Sequence, residues 1–177
     1  MNAPRRRSRR ARPLSDLYVR RLTLAAFHEL HHDAYGAYAF ARIADWGQAR
    51  QCVEDAFEVL RTQWRAALCS ERPAAYSWEV LRERISLQQP WPIPQGCSPF
   101  PDAQLDVLLL HRLLLFPLDR TAALMGIEDH AAQALLRGAE RALSGLPAQV
   151  APAWWRGPTL ARGRAGAYSG AHTRPLT

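Results

Sequence analysis

The sequence predicts an all-α protein of two small helical domains joined by a proline-rich linker, the second domain a helix-turn-helix. Three observations predict it. Apolar residues recur at three- and four-residue spacing through two separate stretches, Pro90, Pro92, Pro94, Pro99 and Pro101 crowd the sequence between them, and Gly126 falls between two short helical patterns near the end. The resulting division is an Arg-rich tail over residues 1–13, a first domain over 14–86, a linker over 87–101, a second domain over 102–147, and a tail over 148–177.

The first helix is expected to open at Ser15, whose hydroxyl can cap it, with Leu14, Leu17, Tyr18, Leu22, Ala25, Ala26 and Leu30 on one face. A second run covers Ala34 to Ala44 and closes near Asp45, Trp46 and Gly47. A third covers Gln48 to about Cys69, with Ala49, Cys52, Val53, Ala56, Phe57 and Leu60 as its apolar stripe. Pro73 suits the first turn of a fourth helix, Ala74 to Ile85, which should bury Tyr76, Val80 and Leu81 and leave Trp78 off the stripe. Beyond the prolines, Leu105, Leu108, Leu109 and Arg112 begin a helix that Pro117 ends. Asp119 to Met125 and Asp129 to Leu143 then form a pair around Gly126, which permits a left-handed turn.

Charge is distributed unevenly. The 177 residues carry a formal +7, and all 23 basic residues are Arg. Residues 1–13 hold six of them and residues 148–177 hold four, whereas residues 14–86 carry nine Arg against ten acids and residues 102–147 four against six. The predicted folded parts are therefore slightly acidic, and the basic character that would suggest nucleic acid belongs to the ends. In the tail beyond Pro147, where Gly, Pro, Ala and Arg dominate, only Trp154 and Trp155 could anchor to a core.

Other classes are argued against directly. The longest apolar run, Leu105 to Phe116, is broken by Asp106, His111 and Arg112, so it falls short of the roughly 20 apolar residues a membrane span needs. Asp16, Arg20 and Arg21 make the segment after the Arg tail too polar for an export signal. Cys52, Cys69 and Cys97 lack the C-x-x-C spacing of a zinc knuckle or redox pair, which suits free thiols in a reducing cytosol, so a cytoplasmic location is expected and no cofactor or metal is.

His28, Glu29 and His32 match the H-E-x-x-H pattern, in which two imidazoles one helical turn apart hold zinc and the glutamate acts as base. Such a site needs a third ligand, and the extended form of the motif would place Gly and His where this chain has Tyr35 and Tyr38. A zinc hydrolase is thus the least favoured reading, against a helix face that is simply rich in His.

The order of parts, together with particular residues, resembles the extracytoplasmic-function (ECF) group of bacterial sigma factors. Phe27, Leu30 and Asp45 lead to Ala49, Val53, Asp55, Ala56 and Phe57, and Pro73 leads to Tyr76, Trp78, Val80 and Leu81, as in the group's first conserved domain. Val107 to Leu143, with Ala122, Gly126 and Leu136, is similar to its second. The resemblance spans roughly residues 15–145 through degenerate motifs.

That resemblance implies a non-enzymatic initiation factor that binds the RNA polymerase core and directs it to promoter DNA. An anti-sigma or other regulatory protein would be a further partner. It places polymerase binding at Arg50, Gln51, Glu54, Asp55 and Glu58, where the family usually carries acids just after Ala49. Capture of unstacked bases would fall to Trp64, Arg65, Arg72, Tyr76, Trp78 and Arg82, and contacts from the recognition helix to His130, Gln133, Arg137 and Arg141. Gln133 and Leu135 stand where relatives often have basic groups, and Glu128, Asp129 and Glu140 would repel phosphates. The alternative is a degenerate sigma-like protein that acts as a protein-binding regulatory module without opening promoters.

Overall fold

The computed structural model describes residues 16–88 and 101–145, and every regular element in them is helical. The Arg-rich tail 1–13, Ser15, nearly all of the proline-rich linker, Cys97 and the tail from 148 with Trp154 and Trp155 lie outside the described residues.

Helix α1 runs unbroken over Asp16–Ile43, where the sequence suggested two shorter helices. Nothing between residues 28 and 36 stops it: there is no proline, and a Cβ on Gly36 would touch nothing within 4 Å. It ends at Ala44, whose positive φ of 59° reverses the chain. Asp45 then caps α2 (Trp46–Cys69), its carboxylate accepting from the Gln48 amide at 2.7 Å. One stripe of α2 is buried, from Ala49, Cys52, Val53, Ala56, Phe57 and Leu60 to Trp64 and Ala67. Pro73 opens α3 (Pro73–Leu87), because its fixed φ suits a first helical turn and its missing N–H is not needed there.

After the linker, α4 (Asp102–Leu108) widens into a π-helical turn over Leu109–Leu113, and α5 (Leu118–Met125) and α6 (Asp129–Ser144) follow. Helix α2 packs between α1 and α3, α4 packs on α6, and α5 lies against both α6 and α3. The buried residues of the two segments form a single cluster, in which Tyr35, Tyr38, Leu60 and Leu81 meet Val107, Leu108, Leu109 and Leu110. Such shared packing buries Trp78 (2% exposed) and Ser77 as well as Val80, Leu81 and Ile85, so α3 is covered on more of its circumference than one amphipathic stripe provides.

At the centre of this joint sits Asp106, fully buried. Its Oδ1 accepts the Tyr38 hydroxyl and lies 3.1 Å from Arg42 Nη1, and its Oδ2 is 2.9 Å from Arg82 Nε. Burial raises the Asp106 carboxyl above the usual carboxylate range, against the downward pull of Arg82, Tyr38 and Arg42. Burial alone would lower the Arg82 guanidinium, but Asp106, Glu79, Tyr38 and Asp102 hold it above its ordinary value. Each partner of Asp106 comes from α1 or α3, so the groups that offset its burial reach it across the joint rather than from its own segment.

Candidate nucleic-acid interface

Helices α5 and α6 are joined by a tight turn at Gly126, which adopts φ 64° and ψ 32°. The Ile127 amide donates to Ala122 O at 3.0 Å and the Gly126 amide to Ala123 O at 3.2 Å, closing the end of α5 with a left-handed cap. Helix α6 buries Ala132, Leu136, Ala139 and Leu143. His130, Gln133, Arg137 and Arg141 fall three, four and four residues apart on the opposite side, and all four are exposed. The arrangement presents one imidazole, one amide and two guanidiniums along a single helical face.

The acids beside that face are largely engaged. Glu128 lies 3.3 Å from Arg72 Nη2, and Glu140 is in close contact with Arg112. These exposed pairs contribute about 1 kcal/mol each at most, but they neutralise two of the three carboxylates that would repel phosphates. The third, Asp129, sits in the first turn of α6, where the helix dipole favours a negative charge.

The base-capture set expected around α2 and α3 is placed differently. Trp64 (4% exposed) donates its indole N–H to Thr23 Oγ1 at 2.9 Å and packs on Phe27 with ring centroids 5.0 Å apart. Trp78 packs on Tyr38 at 4.5 Å and on Tyr35 at 5.8 Å. Neither indole has a free face on which a base could stack, because the aromatics of α1 already occupy that space. Tyr76 is half-buried and donates its hydroxyl to Gln63 Oε1 at 2.6 Å. Arg72 is paired with Glu128, and Arg82 is shared among Glu79, Asp102 and Asp106. Arg65 is exposed and has no ion pair among the described residues. Six residues chosen as one constellation are thus two core tryptophans, one half-buried tyrosine, two committed arginines and one available arginine.

Arg50, Gln51, Glu54, Asp55 and Glu58 form a continuous polar stripe on α2, opposite its buried face. Gln51 Nε2 donates to Asp55 Oδ1 at 2.8 Å, Glu54 Oε1 lies 3.6 Å from His32 Nε2, and Glu58 receives the Arg61 guanidinium. The stripe offers a flat, mixed-charge surface of about three helical turns.

His28 and His32 do stand one turn apart, with rings stacked at 4.7 Å, while Glu29 points to solvent at 87% side-chain exposure. Among the described residues, no group of three or more His, Cys, Asp and Glu side chains is placed to hold a metal ion. Cys52 is buried and Cys69 exposed, both as free thiols. Also among the described residues, no helix is long and apolar enough to cross a membrane.

The sequence reading missed the group formed by Tyr38, Arg42, Arg82 and Asp106. One signal for it was present: Asp106 is the single acid within the run Leu105 to Leu110, and a carboxylate embedded in such a run requires donors from elsewhere. The chain matches no family model, no curated protein and no solved structure.

Proposed function

We propose that this chain is a sigma-type transcription initiation factor, non-enzymatic itself, that binds the RNA polymerase core in the bacterial cytoplasm and directs it to promoter DNA. The reading makes α1 to α3 the polymerase-binding and −10-proximal domain, and makes α5, the Gly126 turn and α6 a helix-turn-helix that reads the −35 element. The observation that carries it is the exposed face of α6, where His130, Gln133, Arg137 and Arg141 stand in register while Glu128 and Glu140 are neutralised by Arg72 and Arg112. Two arginines supply little phosphate affinity, so DNA engagement depends on polymerase holding α6 in place.

Burial of Trp64 and Trp78 and the engagement of Arg72 and Arg82 favour a second reading, in which the fold is kept as a polymerase- or regulator-binding module that does not open DNA. Reconstituted transcription with core polymerase separates the two. Promoter-dependent transcripts support the first reading, core binding without transcripts supports the second, and failure of both rejects each for polymerase.

A further inference from the structure

A groove of about 700 Å³ lies between residues 20–28 of α1 and 54–65 of α2, and His28, Glu54, Glu58, Trp64 and Arg65 all border it. Leu24, Ala25, Phe57 and Trp64 line it with apolar surface. Since the Trp64 indole N–H is already satisfied by Thr23, the ring offers the groove only carbon. Arg20, Arg21, Arg61 and Arg65 stand around it together with Glu54 and Glu58.

Of the two acids, Glu58 is paired with Arg61, while Glu54 lies 3.6 Å from His32 Nε2. Arg21 and Arg65 are exposed and have no ion pair among the described residues, so they are the unbalanced charge of the groove. Positive charge here runs against the trend of residues 16–145, which carry 13 of the 23 arginines and all 16 acids.

The lining extends over residues 20–28 of α1 and 54–65 of α2, about 12 and 17 Å of helix at 1.5 Å per residue. Those dimensions match about three turns of a third helix laid along the groove. Nucleic acid suits the groove poorly, because Phe57 and Trp64 are buried and present no open ring face on which a base could stack.

We infer that this groove receives an acidic amphipathic helix of a partner protein, its apolar residues on Leu24, Ala25 and Phe57 and its carboxylates on Arg21 and Arg65. The inference does not rest on the transcription reading and stands or falls separately from it.

It is tested on the full chain by fluorescence anisotropy with a labelled peptide of about 14 residues, Leu at i, i+4, i+7 and i+11 and Glu on the flanks. The comparison peptides are a scramble of the same composition and a Lys-for-Glu version. The patterned acidic peptide should bind in a salt-sensitive manner, and the scramble and the Lys version should not. The double reversal Arg21→Glu/Arg65→Glu should weaken binding by about tenfold or more, the cost of setting like charges against one another. The charge-preserving pair Arg21→Lys/Arg65→Lys should retain most of it. The six arginines of residues 1–13 are unchanged in these variants, so non-specific attraction is constant across them. Equal binding of the scramble, an unaffected double reversal, or displacement of the peptide by a single-stranded oligonucleotide would each overturn the proposal.

Discussion

A Cβ built on Gly126 would stand 2.0 Å from the backbone nitrogen of Ala75, which means that the turn between α5 and α6 is seated directly on the first turn of α3. Gly126 also holds a φ of 64°, so two independent penalties meet at one position. Gly126→Ala is expected to destabilise the chain by about 2 kcal/mol or more, from left-handed backbone strain of about 1 kcal/mol plus the cost of moving α3 away. Urea unfolding measures this, and a loss smaller than about 0.5 kcal/mol would show that the contact does not exist in solution.

Tyr35 and Tyr38, less than one turn apart and both fully buried, should respond in opposite ways to loss of a hydroxyl. The Tyr35 hydroxyl has no hydrogen-bond partner among the described residues, whereas that of Tyr38 donates to Asp106 and accepts from Arg42 Nη1 at 3.1 Å. Tyr35→Phe should be neutral or stabilise by up to about 1 kcal/mol, and Tyr38→Phe should cost about 1.5 to 3 kcal/mol as a lost bond to a charged group. Equal effects in thermal or urea melts would contradict the arrangement.

His31 is buried, donates Nδ1–H to Phe27 O at 2.9 Å and stacks on the Phe27 ring at 3.9 Å. Burial lowers its pKa below 6.5, the Phe27 carbonyl opposing this and the Arg120 charge adding to it. The folded state therefore prefers the neutral ring. Its contribution is fully present above the unfolded-state pKa of about 6.5 and declines as pH falls from there through the lower folded value. Melting temperatures between about pH 8 and pH 5 should fall on the acid side, and His31→Phe should flatten that slope. An unchanged slope in the variant would place the acid sensitivity elsewhere.

If α6 meets phosphates, Arg137→Ala and Arg141→Ala should each reduce the salt dependence of promoter binding by polymerase holoenzyme by about 0.9 in the slope of log K against log salt. A slope that does not change would remove these two side chains from the interface.

The parts of the fold legible in the sequence are those that local chemistry decides. The α2 stripe from Ala49 to Leu60 repeats at helical spacing, Pro73 suits the first turn of α3, and Gly126 is required by a left-handed turn. Less legible was whatever the second segment does to the first. Trp78 and Ser77 lie off the local stripe of α3, where Trp78 is covered by Tyr35 and Tyr38 of α1 and α5 packs against the same helix. The candidate interface divided in the same manner. The α6 face follows from spacing alone, whereas the fate of Trp64, Arg72 and Arg82 depended on Thr23, Glu128 and Asp106, partners 41, 56 and 24 positions away.

Asp106 also sets an order of events. Its hydroxyl and guanidinium donors Tyr38 and Arg42 lie 68 and 64 residues back along the chain, so the carboxylate can leave water only once those residues and Arg82 have been gathered. The expectation is that these donors gather only after the folding barrier has been crossed, which a φ-value near zero at Asp106 would show. Truncation in Asp106→Ala should then accelerate unfolding while leaving the refolding rate nearly unchanged, a distinction that stopped-flow chevrons read directly. The buried carboxylate would act in that case as a brake on escape from the native state, setting how long each molecule survives between openings.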